Sequence, residues 1–115
     1  MDSDIDLQSL MARYQQGDSD AATALVNHLS PQLYRYFLTQ FASRRHAEDL
    51  LQETWLRIHQ VRHTYRAGQP LLPWLYAIAR NTRVDHYRKA HRAYDKLRKG
   101  LAAIGMPGVR TRGAS

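Results

Sequence analysis

The chain of 115 residues contains no cysteine, which excludes disulfides, thiolate zinc centres and cysteine nucleophiles together. It also lacks any long apolar run. The stretch "PLLPWLYAIA" at 70–79 falls well short of the roughly 20 residues that span a bilayer. Three aspartates within the first six residues carry the wrong charge for an export signal. These absences place the protein in the cytosol with no membrane insertion. Strict alternation of apolar and polar residues is missing too, so no segment reads as a strand. There is no phosphate-cradling glycine loop and no GxSxG motif, and no pair of carboxylates sits within an apolar stretch. Nothing in the chain therefore points to catalysis, and no cofactor is expected.

Acidic residues are nearly absent from the second half. Residues 61–115 hold twelve Lys or Arg against only Asp85 and Asp95, whereas residues 1–60 hold eight acids against five arginines. The first half is thus net −3 and the second net +10, giving the overall +7. Such asymmetry points to a polyanionic partner for the second half, nucleic acid before an acidic membrane surface, although a solvated basic face has the same composition.

With 43% hydrophobic and 23% charged residues, the chain has ordinary globular usage and enough length for one domain with one modest core. The apolar spacing is helical throughout, which predicts an all-α bundle of four main helices. Leu7, Leu10, Met11 and Tyr14 share one face of the first, which Gly17 ends. The second starts at an Asp18/Ser19 cap and uses Ala21, Ala22, Leu25, Val26 and Leu29. At Ser30-Pro31 a kinked continuation is expected, carrying Leu33, Tyr34, Phe37, Leu38 and Phe41.

The third helix, from about His46 to His63, has two stripes. Ala47, Leu50, Leu51, Thr54, Trp55 and Ile58 have core spacing, while Asp49, Gln52, Glu53, Leu56 and Gln60 repeat it on the opposite side. That outer stripe reads equally well as a wet face or as a binding surface. A connector, "HTYRAGQP", leads to a fourth helix with Pro73 in its first turn, running to about Ala90 or beyond. Residues 1–95 are read as the helical domain and 96–115, with four glycines from Gly100 on, as linker or disordered tail.

Six histidines raise the question of a metal. His59 and His63 lie one helical turn apart, but no Glu follows His59 as in HExxH. No metal site is expected, and a metal-dependent hydrolase is the weakest reading.

The fourth helix changes character halfway. Its first turns are apolar (Leu72, Trp74, Leu75, Ala77, Ile78, Ala79), and its later turns carry Arg80, Arg83, Arg88, Lys89 and Arg92 with His86, Tyr87, His91 and Tyr94 between them. Cations suit phosphates and aromatic planes receive unstacked bases at about 1–3 kcal/mol each, the needs of single-stranded nucleic acid. Asn81, at the junction, pairs a donor with an acceptor and so suits a base edge.

"AEDLLQETWLRIHQVRHTYR" followed by "PWLYAIARNTRVDHYRKAHR" resembles region 2, the promoter-melting domain, of the extracytoplasmic-function (ECF) group of sigma-70 family sigma factors. The resemblance covers roughly residues 5–95 and includes "GDSDAATALV". Its strongest motifs, "DLLQETW" and "WLYAIARNTRVDHYR", lie 25 residues apart and match in order and spacing as well as in letters. The resemblance implies that Asp49, Gln52, Glu53, Leu56 and Gln60 dock on the clamp helices of the largest subunit of core RNA polymerase. It further implies that the connector and fourth helix bind the non-template strand of the promoter minus-ten element, through Tyr65, Arg66, Tyr76, Arg80, Asn81, Arg83, His86, Tyr87, Arg88, Lys89 and Arg92. One base would be flipped into a pocket formed by the connector, with Asn81 at the base-reading position. An anti-sigma factor is an implied partner.

Two departures from the family pattern stand out. Trp74 is followed by Leu75 rather than a second tryptophan, which favours a core role for Trp74 over a strand-separating wedge. Nothing after residue 95 would supply the helix-turn-helix domain of a complete factor. The rival from another class is a helical protein-interaction adaptor with an incidental basic face.

Overall fold

The computed structural model describes residues 6–40 and 43–105. Four helices follow in order: α1 (Leu7–Gln15), α2 (Ser19–Gln40), α3 (Arg44–Val61) and α4 (Leu71–Ala103), with one 3-10 turn, Arg62–Thr64, after α3. The all-α expectation holds, and no strand occurs among the described residues. They divide into two compact units, one ending at Arg83 and one starting at Val84.

The helix boundaries follow from capping chemistry. Asp6 caps α1 by accepting the Ser9 N–H at 3.1 Å, and the chain leaves α1 through Gly17 at φ +91°, a conformation that costs glycine nothing and other residues appreciably. Asp18 then caps α2, its Oδ1 accepting the N–H groups of Asp20 at 3.0 Å and Ala21 at 3.2 Å. Its other oxygen accepts the Arg13 Nε–H at 2.9 Å, so one carboxylate joins the end of α1 to the start of α2. The third helix begins two residues earlier than expected because Ser43, not a later residue, accepts the His46 N–H. It also ends earlier, at Val61, where the backbone tightens into the 3-10 turn.

The α2 helix runs through Pro31, as the continuation reading required. Pro31 is exposed while Leu29 and Leu33 on either side of it are buried, so the carbonyl that loses its N–H partner to the proline faces water rather than the core.

The core of the first unit is a single cluster. Met11 of α1, Leu25, Leu29, Leu33 and Phe37 of α2, Ala47, Leu50 and Ile58 of α3, and Leu71, Leu75 and Ala79 of α4 are all buried in it. Two threonines share the interior, and each returns its hydroxyl to a carbonyl one turn back: Thr54 to Leu50 at 2.6 Å and Thr82 to Ile78 at 2.8 Å. Neither is left unsatisfied, which is what permits a hydroxyl at a core position. Across helices, the Trp55 indole N–H donates to Ser30 Oγ at 2.8 Å, fixing α3 against α2. Trp74 packs on the same cluster with its ring edge-on to Tyr65 at an interplanar angle of 66°, in accord with a core role. Phe41, expected in this core, lies outside the described residues.

In the second unit, α4 continues to Ala103. Residues 96–103, expected as linker, are helical, and the reversal comes instead at Gly105, with φ +77°. The remainder of the expected tail, 106–115, lies outside the described residues.

The Asp18 carboxyl is held below its ordinary range by the Ala21 N–H first and then by Arg13. A depressed folded value means that the ionised form stabilises the fold above the unfolded value of 3.8, and that this contribution fades as pH falls through the folded value. Asp18→Asn keeps the shape of the cap and removes the charge. It should melt at a lower temperature than the native chain at neutral pH, with the gap narrowing as pH is taken below 3.8, as thermal denaturation across that range will read.

Candidate nucleic-acid and protein interfaces

The outer stripe of α3 is set by the helix period alone. Because Ala47, Leu50, Thr54 and Ile58 are buried, Asp49, Gln52, Glu53, Leu56 and Gln60 fall on the solvent side, and all five are exposed. Leu56 is 52% exposed, an apolar group ringed by polar ones, which is how the centre and rim of a modest protein interface are built. Glu53 makes an exposed ion pair with Arg57 at 3.7 Å, a distance and exposure at which little energy holds the carboxylate away from a partner.

Beyond α3, the connector is braced from within. Tyr65 is only 4% exposed, its hydroxyl donates to the Gln69 carbonyl at 2.5 Å, and its ring stands edge-on to Trp74 at 5.4 Å. Burial raises its pKa, as it does for Tyr76. The Arg66 N–H donates to Gln69 Oε1 and the Gln69 N–H to the Arg66 carbonyl, both at 3.2 Å, and Gly68 supplies the reversal with φ +89°. Arg66 is therefore presented at the exposed tip of a cross-linked turn. Tyr65 has no free ring face to stack a base; it shapes the connector instead.

In the first part of α4 the junction seen in the sequence is a junction in burial. Ala79 and Thr82 are buried, while Arg80 and Asn81 between them are exposed. Arg83 is partly buried, and its Nε is enclosed with no hydrogen-bond partner among the described residues. Its terminal nitrogens, not Nε, are the groups a phosphate would meet. Tyr76 is half-buried, with its ring edge-on to Tyr36 at 5.4 Å and its hydroxyl directed at Gln32, so it contributes packing more than an open plane.

The second unit separates what the sequence interleaves. At 100° per residue, Arg88, Arg92, Lys96 and Lys99 recur on one side of α4, whereas Tyr87, Tyr94, Leu97 and Leu101 line the opposite side. Lys89 borders the basic side, and His86 falls between Lys89 and Leu97 around the helix. Tyr87 is 56% exposed, but one face of its ring is taken by His91, stacked at 5.9 Å and 10°. His91 and Arg98 both reach Asp95 at 3.4 Å. The helix has a cationic face and an aromatic-aliphatic face, rather than a ladder of alternating rings and charges.

For metal ions, no group of three or more His, Cys, Asp or Glu residues gathers among the described residues. His59 Nδ1 instead shares a 2.6 Å hydrogen bond with the Tyr14 hydroxyl. Two interactions have no sequence signature: this bond, and the pair that Gln15 Nε2 donates to the carbonyls of Arg62 at 2.7 Å and Tyr65 at 2.9 Å. A glutamine at the end of a short helix follows no motif.

The Sigma-70 region 2 family model matches residues 25–99, from the second turn of α2 to the last turns of α4. The chain belongs to the sigma-70 region 2 family. Curated relatives of this region 2 domain include the ECF RNA polymerase sigma factor SigF of Caulobacter vibrioides, 34% identical over 76% of the chain and 50% of the relative. BldN, an ECF sigma factor of Streptomyces coelicolor, is 35% identical over 73% of the chain and 32% of its own length. SigM of Bacillus subtilis, also an ECF sigma factor, is 40% identical over 50% of the chain and 34% of its own. The chain thus spans half or less of each of these relatives. No solved structure matches it. None of the described helices is long and apolar enough to cross a membrane.

Proposed function

We propose that this region 2 domain is a non-enzymatic transcription initiation module acting in the cytoplasm. It binds core RNA polymerase through the outer stripe of α3, on the clamp helices of the largest subunit, and it recognises and helps to melt the promoter minus-ten element through the connector and α4. Strand opening needs no catalytic residue: a surface that binds the open non-template strand better than duplex shifts the equilibrium toward the open form. Flipping a base costs a few kcal/mol, which contacts to the flipped base must offset. The observation that carries the reading is Asn81, exposed between buried Ala79 and Thr82 with Arg80 beside it, so that a base-edge reader and a cation share one rigid helical turn. Arg66 and Arg83 are further cations of the first unit, and Arg88, Lys89 and Arg92 are those of the second. His86, Tyr65 and Tyr76 belong to the DNA reading as supports, and Tyr87 offers its uncovered ring face. An anti-sigma factor that covers these surfaces would be the natural regulator.

The test combines capture of core polymerase with binding of single-stranded DNA selected on the protein. The selected non-template strand should bind at least about tenfold more tightly than its scramble, because each wrong base in a specific site typically costs about 1–3 kcal/mol. Equal binding of both would support an adaptor with an incidental basic face. Arg83→Ala should weaken binding to every sequence and lower the salt slope by about one, read by titration at several ionic strengths.

A further inference from the structure

We propose that Gln15 of α1 is a positioning residue for base recognition: it clamps the connector in the shape that presents Arg66 and frames the flipped base. The assignment rests on the DNA reading above. One side-chain nitrogen, Nε2, donates to the Arg62 carbonyl at 2.7 Å and to the Tyr65 carbonyl at 2.9 Å. The Arg62 carbonyl opens the 3-10 turn and the Tyr65 carbonyl stands at its C-cap, so one side-chain nitrogen ties the two ends of the turn to α1. The clamp closes the base of the connector. Its upper part is closed separately, by Tyr65 to the Gln69 carbonyl and by the reciprocal pair between Arg66 and Gln69.

A loop fixed at its base and cross-linked above holds one conformation before DNA arrives, so little ordering cost falls on the binding step. Released at its base, the same loop would sample several conformations, and a misplaced loop loses selectivity before it loses charge attraction. Selectivity depends on placement within fractions of an ångström, whereas attraction to phosphates does not. Gln15 precedes the stretch that the family model matches, 25–99, so the clamp is a contribution of α1 that the family match does not imply.

Gln15→Glu tests this with an almost isosteric change that replaces an N–H donor by an oxygen facing two carbonyls; Gln15→Ala removes the contact without that repulsion. Both readouts use the full chain. Amide hydrogen exchange at Arg66 and Gln69 should quicken about tenfold while α2 amides keep their rates, because local opening is governed by the contacts of the segment that opens. In binding to the selected strand and its single-base variants, discrimination at one base position should fall about threefold to fivefold, with affinity for the scramble unchanged, as befits a residue that orders a loop. Unchanged exchange at Arg66 and Gln69 would overturn the clamp. Faster exchange with full base discrimination would overturn the specificity role alone. An equal loss at every base position, with a lowered melting temperature in both variants, would show mere structural support and overturn it too. A native chain without any base preference, in which the variants still quicken exchange, would overturn the DNA reading and this role with it.

Discussion

Core polymerase should bind the Asp49→Arg, Glu53→Arg double variant about 100-fold more weakly than the native chain, since close interfacial charge pairs couple by roughly 1.5–7 kcal/mol. The two carboxylates are one helical turn apart on the exposed side of α3, so both reversals fall on one patch and act on one partner surface. Reversal does more than remove attraction, because it sets like charges against whatever cations the acids engage. The fold should tolerate the change. The Glu53–Arg57 pair, at 3.7 Å and exposed, is lost, and arginines then follow one another at 45, 49, 53 and 57, three like-charge neighbours at about 0.2–0.5 kcal/mol each, but no core residue of α3 is touched. Capture on immobilised core polymerase, alongside thermal denaturation, separates the two effects. Leu56 offers an internal check: at 52% exposure it can be replaced by alanine with little loss of stability, so weakened capture by that variant would report burial in the complex. Undiminished capture by the charge-reversal variant would mean that the stripe is only a solvated face.

The same helix shows why so much of the fold was legible. On α3 the inner and outer stripes are separated by the 3.6-residue period, and burial follows it residue by residue, from Ala47 to Ile58 inside and from Asp49 to Gln60 outside. Where the structure departs from the sequence pattern, the deciding force is not periodic. Gly100 suggests a break, yet it sits within α4 without a left-handed backbone; the charged residues around it are adequate helix formers, and a single glycine costs only about 1 kcal/mol. Tyr65 is named for DNA binding by the family resemblance, but its ring fills space beside Trp74, a tertiary contact that neighbouring letters do not reveal. In α4, rings and cations alternate in sequence yet occupy opposite sides, because adjacent residues differ by 100°. The Gln15 clamp spans 47 and 50 residues and follows no local pattern of letters.

Asn81→Ala should abolish discrimination at one base of the minus-ten strand, a loss of about 1–3 kcal/mol or roughly fivefold to 150-fold between the right and wrong base, the worth of a paired donor-acceptor contact. Position matters as much as chemistry. Ala79 and Thr82, buried on either side, anchor the backbone at this turn, and the Thr82 hydroxyl bonded to the Ile78 carbonyl leaves no polar demand that the Asn81 amide must meet. Asn81 is thus held by its neighbours and open at its tip. Alanine is the better helix former, by several tenths of a kcal/mol at an exposed position, so the variant should melt no lower than the native chain. Its affinity for a scrambled strand should also persist, because Arg80, Arg83 and the basic side of α4 remain. Loss of selectivity with stability and charge attraction intact would separate reading from holding. A base preference identical to the native one would remove Asn81 from the interface and move base reading to the connector, where Arg66 stands at the tip of its braced turn.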